Sequence, residues 1–371
     1  HDLRIRRRDL HIIISTTTKT GYERAQQLYG SAPSVTLIRF PLDFTAAVRR
    51  VLYAMRPSMV VLMELEVWPN FMRECARRHI PVVLANGRLT TSSFRRYKLV
   101  KPIAAAMFAR LSQVCAQDQT YADRFQQLGV PADRIRVTGT MKFDTAQVAD
   151  TVEGDRALAW AMGLHTGEPV WVCGSTGPGE EDLVLREYRK LLASFRRLRL
   201  VIVPRKPERF DEVAALIEQY RFRVVRRSRN EPPPMDAPVP PVVLGDTMGE
   251  LRRFYSIADV VFVGRTLVDL GPRQHGSDMI EPAALGKPVI VGPYTANFDY
   301  AMRALKAADA VHEVLDDESL AEAVRVLIST PAEARAMGLR AQQVVVAEQG
   351  ATRRHVELIL KALEPATAAA P

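Results

Sequence analysis

The stretch MVVLMELEVWPN, residues 59–70, decides how this chain is to be read. Val60, Val61 and Leu62 run on without a polar break, the pattern of a strand covered on both faces. Strand side chains alternate, so Glu64 and Glu66 are expected on one side, where the strand leaves the sheet. Pro69 suits the first turn of a following helix, where its fixed φ fits and its missing N–H costs nothing. A buried strand, an acidic exit and a helix form the half-unit of a parallel α/β sheet, and such sheets bind ligands at their strands' carboxyl ends. Solvated acids at an exposed strand end would look the same, so the remaining strand ends carry the argument.

Outward from this stretch, apolar runs and helical patterns alternate along the whole chain. LHIIIST, SVTLIRF, PVVLAN, QVCAQ and IRVTG read as strands, with helical stretches over 21–28, 44–55 and 70–78. After Asp150 the pattern restarts with PVWVCGST, LRLVIVPR, FRVVRRS, PVVLGDT, ADVVFVG and KPVIVGP. The expected class is α/β, with two doubly wound Rossmann-like domains, 1–150 and 151–371, meeting near 145–165. RNEPPPMDAPVPP (229–241) reads as a loop of the second domain and TAAAP as a disordered tail. Two such domains facing across a cleft make the GT-B architecture of many nucleotide-sugar enzymes.

A length of 371 residues gives each domain its own core. The net charge of +9 points to an anionic partner: nucleic acid, an anionic membrane face or a phosphorylated substrate. Cys75, Cys115 and Cys173 stand too far apart for a disulfide framework or metal cluster, so a reducing compartment fits. No apolar run is long enough to span a bilayer. The chain starts at His1 and reaches a strand almost at once, so an N-terminal truncation is expected.

Four segments of the second half follow strands. Gly174-Ser175-Thr176-Gly177-Pro178-Gly179-Glu180-Glu181 offers small residues that let backbone amides approach an anion, or a plain tight turn. Pro204 and Pro207 stiffen a loop that presents Arg205 to a phosphate, or to a surface ion pair with Glu208. Asp246-Thr247-Met248-Gly249-Glu250 either caps a helix, with Glu250 as the return member of a capping box, or offers the amides of Met248, Gly249 and Glu250 to a nucleotide. Asp278-Met279-Ile280-Glu281 places a carboxylate at a helix start, suited to ribose hydroxyls or to the helix dipole alone.

In the first half, TGTMKFD follows a strand and presents Lys142, a candidate to stabilise negative charge on a leaving group, or a solvated lysine. Residues 85–98 hold Arg95, Arg96 and Lys98 among aromatics, suited to a phosphorylated lipid at a membrane or to a solvated helix face. No D-x-D clamp for a metal-bound diphosphate occurs, and the histidines lack metal-ligand spacing. A monophosphate leaving group without a metal is the more natural expectation. Neither G-x-S-x-G nor a P-loop motif is present.

These segments together resemble the 3-deoxy-D-manno-octulosonic acid (Kdo) transferases of lipopolysaccharide assembly. MELEVWPN is similar to the family's M-E-T-E-L-W-P-N, and ANGRLTTSSFRRY to its A-N-A-R-L-S-x-x-S. TGTMKFD, GSTGPGEE, VPRKPERF, DTMGEL, IEPAALGKPVIVGP and Asn297-Phe298 follow in the family's order. The resemblance implies a GT-B enzyme at the cytoplasmic face of the inner membrane. It would move Kdo from CMP-Kdo to a phosphorylated lipid A precursor, with inversion and without metal or cofactor, and would not bind nucleic acid. By matching positions, Pro204, Arg205, Met248 to Glu250 and Asp278 to Glu281 would bind CMP, with Gly174 and Ser175 beside them. Glu64 and Lys142 would stabilise the transition state, and Glu66 would support the site.

The sequence departs from the family at three places. The family's base, a glutamate in an S-V-G-E loop, would lie upstream of His1 together with a first strand and a membrane anchor, so this chain is expected to lack its base. The family's G-G-H-N-P-L-E-P is replaced by the longer Arg273-Gln274-His275-Gly276-Ser277-Asp278-Met279-Ile280-Glu281-Pro282, with Asp for Asn. Leu65 stands for Thr, and Lys206 for His. Two other readings remain open at this point: a sugar-nucleotide binding protein that has lost catalysis, and a metal-free GT-B epimerase.

Overall fold

A computed structural model describes residues 1–164, 167–230, 238–271 and 274–364. The tail TAAAP, most of the Pro-rich loop and Arg273 lie outside the described residues. The chain forms two compact units, His1–Met141 with Gly350–Pro371, and Lys142–Gln349. The boundary expected from the sequence puts residues 142–150 in the first domain and 350–371 in the second.

The first unit carries six parallel strands in two sheets: β1 (Ile12–Thr16) pairs with β2 (Val35–Arg39), and β3 (Val60–Met63), β4 (Val82–Gly87), β5 (Gln113–Ala116) and β6 (Ile135–Val137) line up in that order. The helices between them start where short polar side chains can accept an orphan N–H: Thr18 from Gly21, Thr90 from Ser93 and Asp118 from Tyr121. One sheet face packs Val82, Leu84 and Val114 against Met72, Phe108 and Phe125. On the other face Val83 and Cys115 meet Ile359 of the terminal helix Ala351–Leu363. That helix returns to the first unit because β4 and β5 are apolar on both faces and need a second cover.

His355 anchors it. The buried imidazole Nδ1 faces the Ala351 carbonyl at 2.7 Å, and Nε2 accepts from the Asn86 N–H at 2.9 Å. Asn86 is itself left-handed, with φ +54°, and its side chain accepts from the Met141 N–H.

The second unit is one seven-stranded parallel sheet: β7 (Val170–Thr176), β8 (Arg199–Pro204), β9 (Val224–Arg226), β10 (Val242–Leu244), β11 (Val260–Val263), β12 (Val289–Val291) and β13 (His312–Glu313). Their spatial order is β13-β12-β11-β7-β8-β10-β9. Alternate residues divide between two cores: Val172, Val201, Val243 and Val261 face one side, and Trp171, Cys173, Leu200, Ile202 and Phe262 the other. This explains the unbroken apolar runs in the sequence. From β7 the chain winds first toward β8 and later toward β11, so β7 is the topological switch point, beside which such sheets bind ligands.

Candidate functional site

The second unit brings most of the expected binding residues to one sheet edge. Gly174 lies within the β7 ladder, its carbonyl accepting from Gly264 N–H at 2.8 Å, and the Tyr255 ring fills the space a Cβ would need. Ser175 is held at φ +56°, and its carbonyl accepts from the Ser277 hydroxyl at 3.2 Å. A non-glycine residue in this region stores backbone strain, a feature of ligand loops.

The turn after β7 is braced by two buried acids, Glu180 and Glu181 of the GSTGPGEE segment. Glu180 accepts from the backbone N–H groups of Gly177, Arg265, Thr266 and Leu267, all within 2.9 Å. Burial pushes its carboxyl up, against these donors. Glu181 takes Arg209 bidentately, at 2.6 and 3.0 Å, and the Thr176 hydroxyl at 2.7 Å. Arg209 is thereby ion-paired, whereas Arg205 follows the end of β8 without an ion pair among the described residues, Glu208 included. Pro204 ends β8 in the core.

Beyond β10, the expected capping box is absent. The helix Leu251–Ser256 has Glu250 at its N-cap position with no side-chain cap. Arg227 instead grips Glu250 with two bonds of 3.0 Å, and Asp246 accepts from Arg226 at 2.6 Å and from Ser228. Burial opposes the Glu250 charge, but Arg227 and Thr247 outweigh it and hold the carboxyl low. The correction has a physical cause: a forked guanidinium satisfies the carboxylate better than one backbone N–H. The amides of Met248, Gly249 and Glu250 meet no acceptor among the described residues, and Gly249 bends the loop with φ +86°.

The helix Ile280–Ala284 follows Asp278, which accepts from the Ile280 N–H at 2.9 Å. Met279 and Ile280 are buried and fix the loop to the core. Asp278 keeps an exposed edge within a deep protein wall, and that desolvation pushes its carboxyl up against the pull of Ile280 N–H and Lys142. Burial, then Asp278, raises Glu281 as well. Lys142 lies over the Phe298 ring at 4.1 Å and donates to the Asn297 carbonyl at 2.8 Å. Asn297, Phe298, Ser277 and Tyr255 complete this neighbourhood. Asn297-Phe298 and Ser277 fall in segments the sequence already marks, Tyr255 does not, and only the fold assembles them.

In the first unit the strand rule for the two glutamates fails. β3 ends at Met63, and Glu64 is left-handed with φ +55°. Its N–H donates to Ala85 and its carbonyl accepts from Arg88, while Glu66 N–H turns back to Met63. A turn therefore sets where the acids point, and pleat alternation does not apply. Glu66 accepts from the Trp68 indole at 3.2 Å. Pro69 opens its helix as expected, and Asp43 caps that helix from a distance through Asn70 and Phe71 N–H groups. Glu64, Glu66 and Trp68 are all exposed. No cluster of metal-ligating side chains occurs among the described residues.

Residues 1–145 match the family model described as 3-deoxy-D-manno-octulosonic-acid transferase (kdotransferase). The chain is similar to the 3-deoxy-D-manno-octulosonic acid transferase of Haemophilus influenzae, 35% identical over 96% of this chain and 81% of that one. It is likewise similar to the Bordetella pertussis enzyme of the same description, at 34% over 95% and 81%. A crystal structure of the Anabaena protein HepE with UDP shares the GT-B fold, with a TM-score of 0.61, 14% identity, and coverage of 95% and 91%. The parallel α/β units, the ligand-suited strand ends and these likenesses agree: the chain belongs to the Kdo transferases, glycosyltransferases of lipopolysaccharide synthesis.

Proposed function

We propose that this protein transfers Kdo from CMP-Kdo to a phosphorylated lipid A precursor of the lipid IVA type, inverting the anomeric centre. The observation that carries the reading is Arg205, a guanidinium with no carboxylate partner among the described residues, on the same sheet edge as the unbonded amides of Met248 to Glu250. An anion completes both groups. In this reading Pro204, Arg205 and the 248–250 amides hold the CMP phosphate and base. Asp278, Met279, Ile280 and Glu281 place acceptors at the ribose, and Gly174 and Ser175 shape the floor. Lys142 neutralises charge on the departing CMP, Glu64 stabilises the sugar as its bond to phosphate breaks, and Glu66 orients the tryptophan beside it. A monophosphate leaving group requires less cationic charge than a diphosphate, and Arg205 with Lys142 supplies it without metal.

The acceptor side is read from residues 91–110, which contain no acid. Leu99, Val100 and Ile103 are 86%, 48% and 67% exposed, ringed by the exposed cations Arg95, Arg96, Lys98 and Lys101. Apolar side chains among cations fit peripheral binding to an anionic membrane face. No helix among the described residues is long and apolar enough to cross a membrane.

Deprotonation of the acceptor hydroxyl is assigned to none of these residues. Calorimetric titration with CMP and UDP tests the donor: CMP should bind more tightly, and tighter UDP binding would refute the reading. Label transfer from CMP-Kdo to lipid IVA should persist in EDTA.

A further inference from the structure

Arg205 has a counterpart that no motif marks. Arg265 follows β11 as Arg205 follows β8, and β7 lies between those two strands. Both loops are tied to the end of β7: Arg205 N–H donates to Thr176 at 3.0 Å, and Gly264 N–H to Gly174 at 2.8 Å. The loops that carry Arg205 and Arg265 therefore flank the end of β7 and its Gly177-Pro178-Gly179 turn, and the Arg265 side chain packs beside Gly177. That turn is kept bare, because a Cβ on Gly177 would lie 2.6 Å from Leu270 Cδ1 and 3.0 Å from Arg265 Cγ.

Arg265 is held there at a cost. Its φ is +60°, a region disfavoured for a long side chain, and the bond from its N–H to Glu180 at 2.6 Å fixes it. Of its guanidinium donors, Nη2 reaches the Gln274 carbonyl at 3.0 Å, and no carboxylate pairs with it among the described residues. Burial, then Arg205, drives its guanidinium down from the usual value, against the pull of the Glu180 carboxylate, so the two cations feel one another. Two arginines at a switch point, with no ion pair among the described residues, repel unless anions lie between them.

We propose that Arg205 and Arg265 form a two-anion receptor, Arg205 for the phosphodiester and Arg265 for a carboxylate on the anomeric carbon of the donor sugar. The inference rests on the CMP-Kdo reading and deepens it. A CMP-linked 2-ulosonic acid carries its carboxylate and its phosphate oxygen on one carbon, two anions a few ångströms apart. Nucleotide hexoses such as UDP-glucose lack that carboxylate, so Arg265 distinguishes the sugar class while Arg205 serves any nucleotide monophosphate.

The test is Arg265→Gly, which suits the positive φ and retains the N–H to Glu180, with Arg265→Asn as a second variant that tolerates the same conformation. Each is compared with wild type and Arg205→Ala for CMP affinity by calorimetry and KM for CMP-Kdo. Loss of Arg265 should raise KM for CMP-Kdo about tenfold or more while changing CMP affinity less than about twofold, and Arg205→Ala should weaken both. An unchanged KM, or equal losses for CMP and CMP-Kdo, would overturn the receptor while leaving the function intact. A wild-type protein that binds no CMP and transfers no Kdo would overturn both.

Discussion

The two units handle their charges in opposite ways. In the second, the acids at the strand ends are matched, and all but the half-buried Glu250 are buried: Glu180 by four backbone N–H groups, Glu181 by Arg209, Asp246 by Arg226 and Glu250 by Arg227. These pairs form a frame in which Arg205 and Arg265 make no ion pair among the described residues. In the first unit the matched charge lies on the helix Pro69–Arg77, where Glu74 meets Arg49, Arg77 and Arg78. The strand-end acids Glu64 and Glu66 stay exposed on a turn. Preorganised cations suit a compact nucleotide, whereas exposed acids on a left-handed turn suit a sugar that arrives without prior burial of the carboxylates.

The contrast can be broken first at Glu180. Glu180→Ala strands four backbone donors, at least some of them buried, and should destabilise the second unit by about 3–5 kcal/mol. Calorimetry should show one unfolding transition shifted and the other retained. A small shift would mean that the frame is not built on this carboxylate. Lys142→Ala comes next: transfer should slow about 10² to 10³-fold with CMP affinity nearly unchanged, whereas parallel losses would make Lys142 a binding group.

In the first unit, His355→Ala leaves the buried Asn86 N–H without an acceptor and should cost about 1–3 kcal/mol in urea unfolding. Stability equal to wild type would show that packing of the terminal helix suffices. The smallest effect concerns pH. Arg49, then Arg78, hold the Glu74 carboxyl at about 2, against an ordinary value of 4.5. A depressed folded value stabilises above the unfolded one, so the contribution is complete above pH 4.5 and fades as pH falls toward 2. Because the arginines are half-exposed, the loss should be about 1 kcal/mol or less. Glu74→Gln should flatten urea midpoints across that interval, and an unaltered slope would remove Glu74 as its source.

Much of the fold and of the candidate site is legible in the order of residues. Unbroken apolar runs locate the strands of the second sheet because both faces are covered, and strand ends followed by Arg205, Asp278 or Lys142 stand out as chemistry. The Glu250 capping box fails because a remote arginine, Arg227, competes for the carboxylate, and no local pattern announces it. Glu64 and Glu66 read as strand residues, yet β3 ends at Met63, where the left-handed backbone of Glu64 turns the chain out of the strand.

The sequence by itself determined the parallel α/β units, the family and the order of its ligand loops. All of these are written in local periodicity and in contiguous motifs. Tertiary structure alone decided which unit the terminal helix covers, how Glu180 and Glu181 brace the β7 turn, and that Arg265 stands opposite Arg205. Those facts depend on sheet order and on partners up to some 270 residues apart, such as His355 and Asn86. Hydrogen bonds and burial act through space, and the spacing of residues along the chain does not encode them.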